Sequence, residues 1–468
     1  MNGSYLKLAG IAGGEQVVQN TDVQQFTGKF GGEVLRPDDT GYDEARTVWN
    51  GMVDKHPGLI ARCTGTPDVV ACVNFARDHE VMVSVRGGGH NYAGKAVCDG
   101  GLMIDLSPMK GVQVDSERLT ARAQAGLRLG ELDRETAKFG LATTLGVNTD
   151  TGIAGLTLGG GSGWLAGKHG LACDNLLAAE VVTADGAVRE VNAEQDNDLF
   201  WALRGAGANF GVVTSFEYTL HPVDTVLGGL LVFPLSAEVL RFFDEFSRNV
   251  PDDVSTIGLA MTTPDGQAAF GVGVCHCGPP SEGEAALKAL RSFSPLADMV
   301  EQRPYTDMQT IFDEPWREGR HYYQKGHNIR AFNDDLIQII LEYGHAQPTA
   351  HSAIAFQRVH GAVGRIGVSE MAFPHRYDHY LSMMHPATDD PADTEKMIAW
   401  AREGWQALKP FGEGLYVNLL EDANEEGQDR VREAYGLNYD RLVALKKKYD
   451  PSNLFRLNAN IIPSDVEV

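Results

Sequence analysis

The order of elements written into this chain predicts an α+β fold rather than a doubly wound sheet. Two antiparallel hairpins carry that reading. One is "GVQVDSERLTARAQAG" at 111–126; the other is "LLAAEVVTADGAVREV" at 176–191, turned by Asp185-Gly186. The third observation is a change of texture after Pro222, where longer helical patterns alternate with strands until about residue 407. That stretch reads as a second, substrate-facing domain set into the first, so the expected division is 1–222, 223–407 and 408–468.

Taken in order, the first helix with clear signals begins at Thr66, expected to cap it, with Pro67 in the first turn and Val69, Val70, Val73 and Ala76 on one face. "VMVSVR" then reads as a strand with Val81, Val83 and Val85 on one side, delivering three glycines and His90 at its end. "GLMIDLS" is the next strand. After the first hairpin, Leu129, Leu132 and Phe139 mark a helix stopped by Gly140. A short helix "NDLFWALRG" and a strand "GVVTSFEYTL" follow the second hairpin, ending at Pro222. Within the inserted region "HPATDDPADTEK" reads as an exposed acidic linker. The chain returns through "LYVNLLED" and the helix "YDRLVALKKKYD", with Leu442, Leu445 and Tyr449 on one face and Pro451 closing it.

With 468 residues and 43% hydrophobic content, the chain can build well-developed cores. Its 40 Lys+Arg against 63 Asp+Glu leave a net charge of -23, which disfavours nucleic acid and anionic membrane surfaces and points to small-molecule partners. The N-terminal stretch has no basic segment followed by an apolar one, and no apolar run is long enough to span a bilayer, so a cytoplasmic location is expected. Six cysteines form neither a disulfide framework nor a CxxC pair. "CHC" at 275–277 ends the alternating run "AAFGVGVCHCG" and reads as strand rather than as metal ligands, so no metal is expected.

Three glycine clusters each resemble a phosphate loop until tested. In "GLTLGGGSGWLAGKHG" the residue five before Gly167 is Ser162 and the one after Lys168 is His169, so a Walker A loop fails at both ends, and a nucleotide-dependent transferase with it. "GAGANFG" at 205–211 joins a helix to a strand, the reverse of a dinucleotide-binding turn. What remains is either a set of amide nests around a large anionic ligand or glycines that merely turn tight corners.

Four motifs, "VRGGGHNYAG", "TGIAGLTLGGGSGWLAGKHGLACDN", "DNDLFWALRGAGANFGVVTSF" and "YDPSNLFRLNANIIP", together resemble the berberine bridge enzyme-like FAD-linked oxidases of the vanillyl-alcohol oxidase and p-cresol methylhydroxylase superfamily. The likeness spans about 42–222 and 412–463; the middle region matches in size and position only. It implies a two-subdomain FAD-binding fold with an inserted substrate domain, an antiparallel sheet covered by helices. It also implies FAD bonded covalently through His90. Asn148 stands where many relatives carry a second, cysteine tether, so a single link is implied, and Cys173 reads as an ordinary buried thiol. Arg86, Gly87, Gly88, Gly89, His90 and Asn91 are implied around the pyrophosphate and ring edge, and Thr151, Gly152, Gly155, Thr157 and Gly159 opposite them. Val212 or Val213 would approach the adenine half, with plain strand core as the alternative, and Tyr416 and Asn418 would lie against the isoalloxazine.

The implied activity is oxidation of a small organic substrate (alcohol, sugar, phenol or amine) by hydride transfer to flavin N5, with O2 as the expected acceptor giving H2O2. A dehydrogenase using another acceptor, or a vestigial flavin carrier without turnover, stays open because Leu419 occupies the place of the tyrosine that serves many relatives as base. Tyr92 is the first substitute, then His385, with Tyr323 and His379 behind them. A phenol with an ordinary pKa of about 10 needs help to act as a base, and Arg86 and Lys325 are the cations that would give it.

Overall fold

The computed structural model describes residues 5–421 and 427–464. The mixed α+β expectation holds. A four-stranded sheet runs in the order Glu33–Leu35, Leu59–Arg62, Leu102–Asp105, Val83–Arg86, and its last three strands are parallel. The helix Thr66–Asp78 connects two of them and buries Val69, Cys72, Val73 and Ala76. Pro67 sits in its first turn as expected, but Gly65 is the N-cap. Thr66 turns its hydroxyl to the Glu180 carboxylate instead, and Asp68 accepts from the Thr64 amide at 2.9 Å.

Both hairpins fall in a five-stranded antiparallel sheet: Val188–Asn192, Leu176–Val182, Val212–Thr219, Thr120–Gln124, Val112–Asp115. The helix expected after the first hairpin spans Leu129–Ala137 and buries Leu129 and Leu132. Phe139 is not on its packed face: it lies beyond the helix end and is 52% exposed.

Residues 225–385 build an eight-stranded antiparallel sheet. Four helices, Ala237–Arg248, Pro280–Ser292, Asp334–His345 and Thr394–Leu408, contribute Leu240, Phe243, Leu287, Ile340 and Met397 to one apolar core with residues of this sheet. Strand alternation separates its two faces. Along Ala353–Val359, Ile354 and Phe356 join that core, whereas Ala355 and Gln357 face a cavity on the other side. Along His379–His385, Tyr380 and Met384 point to the helices, and Met383 and His385 point to the cavity.

Cys275 and His276 lie in the strand Ala268–His276, paired with Ser255 and Val254, as the alternation implied. "HPATDDPADTEK" is exposed only from Asp389 onward. Its first residues are drawn inside, because Ala387–Thr388 pairs with His321–Tyr322 and Thr394 already opens a helix. The returning helix Tyr439–Tyr449 buries Leu442, Leu445 and Tyr449 on one face, and its side chains join the core of the first part of the chain. Among the described residues no helix is long and apolar enough to cross a membrane.

Candidate active site

The strand Val83–Arg86 ends in the glycine turn, and the turn's geometry explains its composition. Gly89 has φ +71, and a Cβ on Gly88 would lie 2.3 Å from the Gly152 amide nitrogen. Two loops therefore meet backbone to backbone, with nothing between them. Arg86 borders a charged cavity beside Gly87 and Gly88, and its guanidinium is held by the protein: Nε and Nη2 donate to the Asp105 carboxylate at 3.0 and 2.7 Å, and Nη1 donates to the Thr47 carbonyl. Asp105 is fully buried, so its charge needs this partner and holds the guanidinium against the sheet.

A cavity of about 390 Å³ opens beside the turn. It is lined by Gly87, Gly88, Gly89, His90, Asn91 and Tyr92, by Thr151, Gly152, Gly155 and Gly159, and by Tyr416, Asn418 and His385. It continues past Gly205, Ala206 and Asn209 to Asn458. Gly155 has open space where a side chain would stand. A long cleft with bare backbone along one wall and a few polar side chains suits a large flat cofactor carrying a phosphate chain. Gly87 and Gly88 also border a second, charged cavity of about 500 Å³, where Arg62, Lys110 and Arg128 stand among Glu33, Glu44 and Glu318.

Several expected residues lie elsewhere. Thr157 is buried on the inner side of the helix Ile153–Leu158, bonded to the Tyr218 hydroxyl at 2.8 Å. Val212 and Val213 pair with Val182 and Val181 and are core side chains. His379 is six residues from His385 on the same strand, roughly 20 Å away. It is fully buried and bonded to the Tyr377 carbonyl, and burial lowers its pKa to about 3. Tyr323 points into the helix-covered core beside Arg402, while its neighbours Tyr322 and Gln324 face the opposite way.

Tyr416 and Asn418 form one unit. The Asn418 amide and the Gly161 N–H both donate to the Tyr416 hydroxyl at 2.9 Å. Burial, against those two bonds, pushes the phenol up to about 12, so it stays protonated. Asn148, in the place of the second tether, has its Nδ2 3.4 Å from the Trp316 carbonyl, and Cys173 is buried against Met371 away from the cavity.

His90 sits in a clamp that motif reading did not find. Trp49 stacks on its ring with centroids 4.2 Å apart, and Nε2 lies 2.9 Å from Asp150 Oδ1. The Trp49 indole donates to the other oxygen of Asp150 at 3.2 Å. Burial alone would raise the Asp150 pKa, but the hydrogen bond and charge of His90 outweigh it and bring it down. Asp150 lies in the same "GVNTDTG" as Asn148; Trp49 carries no local signal at all.

The two leading base candidates are brought together. The Tyr92 hydroxyl stands 2.8 Å from His385 Nε2, with Tyr322 and Trp316 packed around the pair. Burial, and then the charge of His90, lower His385 to about 4. Burial, followed by the nearby Tyr322, Glu421 and Asp150, raises Tyr92 well above its ordinary value. The cationic help expected from Arg86 and Lys325 is absent: Arg86 is bound to Asp105, and Lys325 lies over the Trp405 ring. Tyr92 is thus a poor phenolate but a good neutral donor to an imidazole that is itself neutral near pH 7.

Family models for an FAD binding domain and for a berberine and berberine-like segment match residues 57–192 and 415–462. An FAD-linked oxidoreductase of Dictyostelium discoideum is 33% identical over 449 residues, 94% of this chain and 97% of its own. The chain belongs to the berberine bridge enzyme-like FAD-linked oxidoreductases. The (R)-6-hydroxynicotine oxidase of Paenarthrobacter nicotinovorans is likewise 33% identical, across 92% of this chain and 97% of its own. Among solved structures, 6-hydroxy-D-nicotine oxidase from Arthrobacter nicotinovorans superposes with a TM-score of 0.82 at 30% identity, covering 93% of this chain and 98% of that one. A chitooligosaccharide oxidase, at 24% identity and a TM-score of 0.82 over 95% of this chain and 99% of its own, shares the fold. Like its family, the chain is an FAD-dependent oxidoreductase, and the glycine-walled cleft is where its residues fit the cofactor.

Proposed function

We propose that this flavoprotein carries FAD tethered through His90 alone and oxidises a compact, flat, largely apolar substrate at a C–H bond next to a hydroxyl or amine, with O2 as acceptor. The observation that carries the reading is the part-buried Tyr92–His385 pair, 2.8 Å apart, in the same cavity that His90 lines. Bound FAD supplies a two-electron acceptor whose N5 takes the hydride.

The chain's own residues do the rest. Tyr92 donates its hydroxyl proton to His385 Nε2 as it accepts the proton from the substrate's O–H or N–H, so the burden of basicity falls on the imidazole. A pair that is neutral at the start avoids the cost of a buried phenolate. Trp316 and Tyr322 pack against the pair and Met383 lines the cavity beside it, and these apolar groups favour a ring-bearing substrate over a hydrated one. That similar proteins are named as a hydroxynicotine oxidase supports an aromatic or amine substrate; the oligosaccharide oxidases share only the fold. Leu419 removes the usual base without removing turnover, because Tyr92 and His385 take over its task. In this reading 1–222 and 408–468 hold the cofactor, and 223–407 shapes the substrate side.

Anaerobic mixing with a panel of aromatic alcohols, phenols and cyclic amines tests the proposal. Bleaching of the flavin band followed by H2O2 release on admitting air is the expected result. A flavin that no member of the panel reduces would return the chain to the status of a carrier, and reduction without H2O2 would make it a dehydrogenase.

A further inference from the structure

Resting on the covalent linkage proposed above, we infer that Asp150 is a positioning residue for flavin attachment: its carboxylate accepts the Nε2–H of His90 and so presents Nδ1, unprotonated, to the 8α-carbon of FAD. The geometry leaves the imidazole little choice. Nε2 is 2.9 Å from Asp150 Oδ1, and Trp49 covers the ring face at 4.2 Å between centroids. The Trp49 indole holds the second carboxylate oxygen, so the acid cannot rotate away without losing a donor. Of the two ring nitrogens, the one turned from Asp150 is Nδ1, and a hydrogen bond at one nitrogen decides the protonation of the other.

The step balances as follows. A C–N bond forms between Nδ1 and the 8α-carbon while one C–H of the 8α-methyl breaks. The imidazole gives up one proton through the Nε2 side, held by Asp150, and the carbon gives up another. Two electrons and two protons leave in total, and dioxygen takes them up as H2O2. An anionic acceptor at Nε2 serves both ends of this sequence: it keeps Nδ1 a lone-pair nucleophile beforehand and neutralises cationic character on the alkylated ring during bond formation. Asp150 is suited to this because its two carboxylate oxygens are engaged separately, one by His90 Nε2 and the other by the Trp49 indole.

The test uses the full chain produced in a flavin-limited host, supplied with FAD in air, with acid-precipitated flavin followed over time. Asp150→Asn keeps the shape but replaces the acceptor with an amide that can donate to Nε2 and so favour the wrong tautomer. Attachment should slow by about 10²-fold or more, while non-covalent FAD affinity stays within about threefold of the parent. Asp150→Glu, which restores a carboxylate, should recover at least about tenfold of that loss. Attachment of Asp150→Asn at the parent rate, loss of FAD binding altogether, or no recovery with glutamate would each overturn the role of Asp150. His90→Ala separates the two proposals: flavin still covalent in that variant, or removable by acid from the parent, means the linkage itself is misassigned.

Discussion

The two walls of the cleft are made in different ways. On the side proposed for the flavin, Gly87, Gly88, Gly89, Gly152, Gly155 and Gly159 present backbone, and the shape of the wall depends on residues that have no side chain. On the side proposed for the substrate, Ala355, Gln357, Met383 and His385 project from one face of an antiparallel sheet, and their position depends on strand register. A backbone-built wall tolerates almost no substitution but holds one kind of ligand. A side-chain-built wall can be rewritten residue by residue without disturbing the sheet that carries it, which is how one fold serves different substrates.

The largest effect should come from breaking the first wall. A Cβ on Gly88 would lie 2.3 Å from Gly152 N, and neither backbone can give way without moving its loop. Gly88→Ala should therefore lose most of its bound FAD and destabilise the fold by about 1–3 kcal/mol, measured by flavin absorbance per chain and by denaturant unfolding. Retention of stoichiometric FAD in that variant would mean the loops are not in contact in solution.

Next in size is the second wall. His385→Leu removes the proton acceptor, and anaerobic flavin reduction by a working substrate should slow by about 10²–10⁴-fold, with FAD content unchanged. Tyr92→Phe keeps the ring between Trp49 and His385 and removes only the relay hydroxyl, so about 10²-fold is expected. Equal rates for parent and both variants would separate the pair from the chemistry.

The difference between the walls also decides what the sequence made legible. "VRGGGHNYAG" and the run of glycines after Thr151 are local motifs, so the family resemblance they carry, rather than spacing, names His90 and most of the cleft's backbone. The second hairpin is equally plain, because Asp185-Gly186 marks its turn within a few residues. Tyr322 was missed by one position: "HYYQKGH" places two tyrosines side by side, and only register shows that Tyr322 stacks on Trp49 while Tyr323 turns to the helices. The exposed charges of "HPATDDPADTEK" are local and legible, while the burial of its first residues is not, because their pairing partner, His321–Tyr322, is more than sixty residues away. That Asp105 holds the Arg86 guanidinium is not legible locally, because the two residues meet only through the pairing of neighbouring strands.

A smaller effect follows from pH. Burial, and then the charge of His90, lower His385 from an ordinary 6.5 to about 4, so it stays unprotonated, with a free acceptor nitrogen, throughout the neutral range. The reduction rate should stay level from about pH 8 to about pH 6, with no inflection near 6.5, and fall as pH drops through about 4. The sign for stability is the same. Between about 6.5 and 4 the unfolded chain binds more protons at this residue than the folded one, so stability declines as pH falls through that window. In His385→Leu that part of the decline should disappear from unfolding curves recorded at stepped pH; an unaltered curve would place the acid sensitivity at other buried histidines.

The smallest effect is the sharpest test of register. Tyr323 and Tyr322 are adjacent and chemically identical, yet the first is buried beside Arg402 and Lys325 under the helices and the second packs against Trp49 and His385 at the cleft. Tyr323→Phe removes a hydroxyl that accepts from Arg402 at 3.3 Å, a long bond to a cation, so it should cost no more than about 1 kcal/mol of stability. Flavin reduction should stay within about twofold of the parent, since nothing at the cleft has changed. Tyr322→Phe is the matched control: its hydroxyl donates to the Arg317 carbonyl at 2.7 Å, and its loss frees the segment that carries Trp316 over the Tyr92–His385 pair. That variant should weaken substrate binding more than it slows the bound complex, read as a rise in the substrate concentration for half-maximal reduction. If Tyr323→Phe gave this result instead, the strand leading out of His321–Tyr322 would be shifted by one residue, and every assignment on the substrate wall would move to the neighbouring side chain.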